Sequence, residues 1–295
     1  MSRTAIRWEH WQSFLAVAAQ GSLSAAARVL GLTQPTVSRH IDLLEAGVGA
    51  PLFLRSPQGM SLTELGTRLL PEARSMAAAA SALERTASAP DDATRGIVRL
   101  TASEVVGSEI LPALLAPLMA RHPGLEVELV LSNRNEDLLR READLAVRMV
   151  RPAQAGLVAR KLADVAIGLF AHERYLSAHG QPESLSDLPA HRLIGPDRDA
   201  AMLAALAGTG ITRRMIGFRC DRESAQLNAI RAGLGIGVMQ AGLARLSPGL
   251  RPVLAGDIAF TLECWLALHE DLRANARVRL VFEHLAAHLP AALRG

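Results

Sequence analysis

The feature that most constrains this chain is its start, where three short helical segments follow one another with almost no chain between them. Trp8, Trp11, Phe14, Leu15 and Ala18 recur at spacings of three and four, the pattern of an amphipathic helix. Gly21 ends it, Ser22 or Ser24 caps a second helix from Ala25 to Leu30, and Gly31 closes that one. Thr33 or Gln34 precedes Pro35, a residue favoured at the first helical position, and the third helix runs to about Ala46. Its apolar face is Val37, Ile41 and Leu44; the opposite face carries Thr36, Ser38, Arg39, His40 and Asp42. Small residues Ala26, Ala27 and Gly31 let the second and third helices pack closely, as in a helix-turn-helix. The polar face of the third helix is left for a major groove, which admits an α-helix.

After Gly49, the run from Pro51 to Leu62 reads as two short strands around a turn, a wing. Thr63 caps a long helix with Glu64 in its first turn, and about 25 residues give roughly 37 Å of helix. Leu65, Leu69, Met76 and Leu83 mark one apolar stripe, expected to be a dimer seam. Ala89, Pro90, Asp91 and Asp92 read as a hinge.

From Gly96 the pattern becomes alternating strands and helices. Strand candidates are Ile97–Thr101, Leu125–Leu131, Leu145–Val147, Val165–Phe170, Gly217–Cys220, Ile236–Met239 and Leu262–Ala267. Helices are expected around residues 110–119 and at Glu223–Ala232 and Ala274–Leu289. The expectation is an α/β layout with mostly parallel sheets.

Charge and motifs exclude several classes. The net charge is +3, with 31 Arg and one Lys, Lys161, so charge by itself does not argue for nucleic acid. Cys220 and Cys264 lack a CxxC spacing, and His172, His179, His269 and His284 share no metal-ligand spacing. No metal and no cofactor is expected. No uncharged apolar stretch is long enough to span a membrane, and the N-terminus lacks a secretory apolar core, which points to the cytoplasm. Gly233, Gly235 and Gly237 lie after a helix and before a strand, the reverse of a nucleotide fingerprint, so a helix stop is expected there. The common hydrolase, zinc-peptidase and phosphate-loop motifs are absent, so no catalytic residues and no enzyme are expected.

Taken in order, Phe14–Ala18, Gly21–Ala27, Thr33–Ile41, Leu44-Glu45, Leu52–Arg55 and Leu62–Gly66 resemble the LysR-type transcriptional regulators. Asp144–Arg148 and Ala232–Ile236 resemble landmarks of that family's effector domain. The resemblance implies an N-terminal winged helix-turn-helix (mostly α), a long linker helix, and a C-terminal two-lobed α/β effector domain resembling periplasmic binding proteins. The expected bounds are residues 1–62 for the DNA-binding domain, 63–90 for the linker and hinge, and 91–295 for the effector domain. Lobe I is expected at about 95–165 and 268–295, lobe II at about 166–267. Two departures stand out. Gln58 sits where the family often has a wing Arg, and a neutral side chain gains less from the minor groove's negative potential. Gly47 replaces a long polar residue and is expected to end the third helix early.

The expected DNA-contacting residues are Gln34, Pro35, Thr36, Ser38, Arg39, Arg55 and Gln58, since Arg can grip guanine and Gln can read adenine. The expected effector contacts are Ser103, Glu104, Ser132, Asn133, Arg148 and Gln226. Ser103, Ser132 and Arg148 each follow a strand, so they share one rim of the first lobe; Gln226 comes from the second. Glu104 in the same turn would repel a carboxylate ligand if it faced the cleft. The expected function is a sequence-specific transcriptional regulator switched by a small-molecule effector between two lobes. Its partners would be an operator duplex, that effector, a second copy in a homodimer or homotetramer, and RNA polymerase if it activates. A solute-binding protein and a small-molecule enzyme are the competing classes; the helix-turn-helix and the missing motifs argue against them.

Overall fold

The computed structural model describes residues 6–56, 59–87, 94–133, 143–152 and 156–294. The chain divides after Ala87 into two units.

The first unit contains α1 (Trp8–Gln20), α2 (Leu23–Leu30), α3 (Gln34–Val48), β1 (Phe53–Ser56), β2 (Gly59–Leu62) and α4 (Glu64–Ala87). Local signals explain the breaks. Gly21 and Gly31 close their helices with φ near +66°. Ser22 accepts from the Ala25 N–H at 3.4 Å and Thr33 accepts from the Thr36 N–H at 3.4 Å, so both N-caps are side-chain hydroxyls. Gly47 does not end α3. It is buried in the last turn, and the helix continues to Val48, where Gly49 at φ +84° makes the cap. Phe14, Val17, Ala26, Ala27, Val37, Ile41, Leu44, Leu52 and Phe53 form the core. Trp11 packs against it edge-on to Phe14 at 5.7 Å, whereas Trp8 at the start of α1 stands outside it. Emptying one such buried position, as in Ile41→Ala, costs about 2–5 kcal/mol.

β1 and β2 pair antiparallel, Phe53 opposite Leu62. Gly59 is required at its place: φ is +127°, and a Cβ would meet the Gly21 carbonyl oxygen at 2.5 Å. That closeness lets the Met60 N–H bond the same oxygen at 2.8 Å, tying the wing to the end of α1. Thr63 caps α4 through Gly66 N–H at 3.0 Å. The apolar stripe of α4 then divides. Leu65, Leu69, Leu70 and Ala73 pack onto the unit's own core, while Met76 and Leu83 are 45% and 71% exposed. The first half of the expected dimer seam therefore belongs to the head's own core. The expected hinge at Ala89–Asp92 lies outside the described residues.

The second unit runs β3 (Gly96–Ala102), α5 (Glu104–Glu109), α6 (Leu111–Arg121), β4 (Leu125–Leu131), β5 (Leu145–Arg148), β6 (Leu157–His172), α7 (Glu173–His179), β7 (Leu193–Gly195), α8 (Ala200–Ala207), β8 (Ile216–Arg219), α9 (Glu223–Arg231), β9 (Ile236–Gln240), α10 (Ala241–Arg245), β10 (Leu250–Val253), β11 (Ala259–His269) and α11 (Ala276–Arg294). The strand order is β4-β3-β5-β11-β6-β9-β7-β8, with β10 also on β6. The flanks β4-β3-β5 and β9-β7-β8 are parallel. The centre is not: β5-β11, β11-β6, β6-β9 and β6-β10 are antiparallel. The sheet is therefore mixed rather than mostly parallel. The physical reason is that the chain crosses between lobes once on β6 and returns once on β11.

Each lobe is layered. In lobe I, Val98, Leu100, Leu145 and Val147 face Leu111, Leu115, Val281 and Leu285 of α6 and α11. Alternation then puts Arg99, Thr101, Ala146 and Arg148 on the other face. In lobe II, α9 and α10 cover one face through Leu227, Ile230 and Leu243, and α7 and α8 cover the other through Tyr175 and Leu206. The crossover has a bulge: Cys264 pairs with Ala163 but Trp265 with Lys161.

Candidate functional site

In the first unit the start of α3 is the exposed polar surface. Gln34, Pro35 and Arg39 are exposed, and Thr36 and Ser38 are half-buried. Residues 34 and 38, and 35 and 39, are one turn apart, so they share the groove-facing side. Thr36 is partly engaged: its hydroxyl meets that of Thr33 at 2.8 Å. His40 leaves this face. Its Nδ1 lies 2.8 Å from Ser13 Oγ and its ring 5.4 Å from that of His10, so it joins α3 to α1. Burial beneath that joint lowers the pKa of His10, and the nearby His40 adds to the effect.

Arg55 on β1 pairs with Asp42 of α3 at 2.7 Å. Glu45 accepts from the Leu52 and Phe53 N–H groups at 2.7 and 3.1 Å. Two acids of α3 thus hold the wing against the recognition helix. Asp42 and Glu45 were not among the expected site residues, although a Glu at the end of α3 opposite unpaired strand amides is the kind of signal that marks an anchor. Gln58 lies outside the described residues.

In the second unit, sheet register gathers the expected effector residues. Ala102 pairs with Leu131 on one side and Val147 on the other. The next position on each strand is Ser103, Ser132 and Arg148, so the three stand in one row at the carboxyl rim. Backbone bonds lock it: Ser103 N–H to Val147 O at 3.1 Å and Ser132 N–H to Ala102 O at 2.9 Å. Arg148 is 4% exposed and donates to Thr101 Oγ1 at 2.9 Å and Val147 O at 3.1 Å. Ser103 is 7% exposed, and its hydroxyl has no hydrogen-bond partner among the described residues. Asn133 caps α5 by accepting from the Glu104 N–H at 3.0 Å.

Glu104 turns toward the second lobe. Its carboxylate accepts from the Glu223 N–H at 3.1 Å and from the Ser224 hydroxyl at 2.8 Å, both at the start of α9. Glu223 sits beside it. Burial above all, then the charges of Glu104 and Asp199, push its carboxyl up to about 7. Gln226 is buried and donates to the Cys220 carbonyl at 2.6 Å, bracing the turn that leads into α9. Glu223 and Ser224 were also missed, because their role depends on a residue about 120 positions away.

A winged helix-turn-helix followed by a two-lobed α/β domain with a polar rim defines a DNA-binding regulator that carries a ligand domain. The model of the bacterial regulatory helix-turn-helix protein, lysR family, matches residues 8–67. That of the LysR substrate binding domain matches residues 91–290. The chain belongs to the LysR family of transcriptional regulators. It is 28% identical over 293 residues to a probable HTH-type transcriptional regulator, LtrA, of Klebsiella pneumoniae, covering 94% of this chain and 93% of that protein. The structure of CrgA, a LysR-type transcriptional regulator from Neisseria meningitidis, aligns with TM-score 0.59 and 25% identity over 95% of this chain and 98% of that one. Full-length CbnR, solved in complex with its target DNA, aligns with TM-score 0.65 and 21% identity over 95% and 99%, which establishes likeness of fold alone.

Proposed function

We propose that the exposed start of α3 reads operator DNA and that a small effector, bound at the rim of lobe I against lobe II, sets whether it does so productively. The observation that carries the reading is the row Ser132–Ser103–Arg148 at one level of the sheet, with a buried charge and a hydroxyl lacking a partner among the described residues. Asn133 and Glu104 belong to the same rim, and Gln226 is the contact proposed from α9, whose start Glu104 joins. On the DNA side, Gln34, Pro35, Thr36, Ser38 and Arg39 supply base contacts, and Arg55 supplies a backbone contact through the donors that Asp42 leaves free. Gln58 is the remaining DNA contact proposed from the sequence.

Two copies joined through the free half of α4 would present two recognition helices to two half-sites; a dimer of dimers extends this to four. Such a protein works in the cytoplasm beside DNA, and an activator among such proteins would also touch RNA polymerase. No helix of the described residues is long and apolar enough to cross a membrane.

The test is Arg39→Ala, assayed on duplexes selected by the wild-type protein from a random library. Loss of a bidentate base contact costs about 1–3 kcal/mol, so operator affinity should fall roughly 5- to 150-fold with the fold intact. Unchanged affinity at matched salt would remove Arg39 from the reading surface.

A further inference from the structure

We propose that Glu104 is a specificity-determining residue of the effector cleft: its carboxylate fills the anion-receiving start of α9, so the cleft takes a ligand that is neutral or cationic at that end. The inference rests on the effector reading above, and its test is separable from it.

The start of α9 is built to receive an anion. Its leading backbone N–H groups have no partner inside the helix, and the helix dipole favours negative charge there. Glu223 N–H and Ser224 Oγ–H supply two donors, and both carboxylate oxygens of Glu104 are engaged, one on each. The anion comes from the other lobe, since Glu104 opens α5 on lobe I and α9 belongs to lobe II. The far ends of the same two helices are also joined, by Arg231 to Glu109 at 2.7 Å. The two helices are thus clasped start to start and end to end, which holds Glu104 in place without further help.

The hydroxyl of Ser103, the residue directly before Glu104, is an independent sign that this rim awaits a ligand. It is buried with no partner among the described residues, and a buried polar group without a partner is costly. A ligand that satisfies it meets Glu104, the next residue, whose charge together with that of Asp199 already acts on the neighbouring Glu223 carboxyl. A ligand carboxylate at this point would have to displace Glu104 and then face its charge and that of Asp199. An amine, amide or hydroxyl would instead find acceptors.

The test uses the full-length protein and acetate as a probe carboxylate, with chloride as the control at constant ionic strength. Glu104→Ala vacates the α9 start while keeping its two donors. Acetate should then raise the melting temperature of Glu104→Ala by about 2–5 °C in a saturable manner. It should leave wild type unchanged, and also Glu104→Gln, whose carbonyl still fills the site. Adding Ser224→Ala to Glu104→Ala should abolish the acetate response. Glu104→Ser serves as a second vacated variant if the alanine form fails to fold. Acetate stabilising wild type as much as the vacated variant, or no response in a folded vacated variant, overturns the proposal. A natural carboxylate that shifts wild type and loses that effect in Ser224→Ala also overturns it. If acetate rescues the vacated variant but no small molecule in a metabolite screen shifts wild type, the α9 site stands and the effector reading fails instead.

Discussion

Glu223 is a carboxyl that folding holds in the wrong environment for a charge. Its ordinary value is 4.5, and in the folded chain it rises to about 7, from burial first and the carboxylates of Glu104 and Asp199 second. A carboxyl raised by folding binds its proton more tightly in the folded state, so folding is favoured while it is protonated. Stability should therefore fall as pH rises through the window from 4.5 to about 7 and stay low above it. The loss is on the order of 1–3 kcal/mol. Glu223→Gln should be less pH-dependent than wild type in urea midpoints taken between about pH 5 and pH 8. Parallel pH profiles in the two proteins would assign the titration to another group. Ser103 and Arg148 make the complementary prediction for the ligand. Once a metabolite screen has produced an effector, Ser103→Ala should weaken it by about 0.5–1.5 kcal/mol, as for one neutral hydrogen bond. Arg148→Ala should weaken it more and also lower the melting temperature, because Arg148 braces Thr101 from within the core. Calorimetric titration in which both variants bind like wild type would move the effector off this rim.

At the scale of the element, α4 is two helices in one. Leu65, Leu69, Leu70 and Ala73 are packed into the head, and Met76 and Leu83 are not. The consequences of charge should differ accordingly. Leu69→Asp places a carboxylate against the head's core from a half-buried position and should destabilise the head by about 1–3 kcal/mol, since a partly desolvated unpaired charge is costly. Met76→Asp with Leu83→Asp should leave the melting temperature of the head nearly unchanged but dissociate the oligomer. Sedimentation velocity separates the two outcomes. A wild-type monomer, or an oligomer unmoved by the double substitution, would place the self-association surface elsewhere. α3 shows the same division of labour within a single helix. Val37, Ile41 and Leu44 build the core, Asp42 and Glu45 fasten the wing, and the first turns stay open.

At the scale of the whole effector unit, two strands carry both lobes. Glu263 of β11 stands directly opposite Asp164 of β6, a like-charge pair that disfavours the ladder. Lys161 relieves it, at 2.7 Å from Asp164 and 2.8 Å from Glu263. In a regular strand residues 161 and 164 would point to opposite faces; the extra residue of the bulge brings them to one. The acids raise the pKa of Lys161, and Lys161 and the Trp265 indole N–H lower that of Glu263. Lys161→Met should lower the melting temperature at low salt, and the difference from wild type should shrink at about 0.5 M salt, where repulsion between the two exposed acids is screened. A difference that persists at high salt would point to packing rather than charge. Trp265 on the same face, with Arg151 over its ring at 5.3 Å, offers a fluorescence reading of the crossover.

What was legible in the sequence is what depends on neighbours within a turn or a strand. Helix stops at Gly21 and Gly31, caps narrowed to Ser22 or Ser24 and to Thr33 or Gln34, of which the structure uses Ser22 and Thr33, the wing, and the row Ser103–Ser132–Arg148 all follow from local conformation and the rule that strands in parallel units end on one rim. The ordered helix-turn-helix motif was enough to identify the family, because its pieces occur at unbroken spacing. Three things depended on the tertiary structure. The Gly47 position is helical and buried because the packed turn continues to the Gly49 cap, whereas in isolation glycine reads as a stop. His40 points inward because Ser13 and His10 of another helix are there to meet it. The antiparallel centre of the sheet, and the contact of Glu104 with α9, join residues roughly a hundred positions apart. No local pattern encodes such pairs, since their energy appears only when the crossover strands have brought the two lobes together.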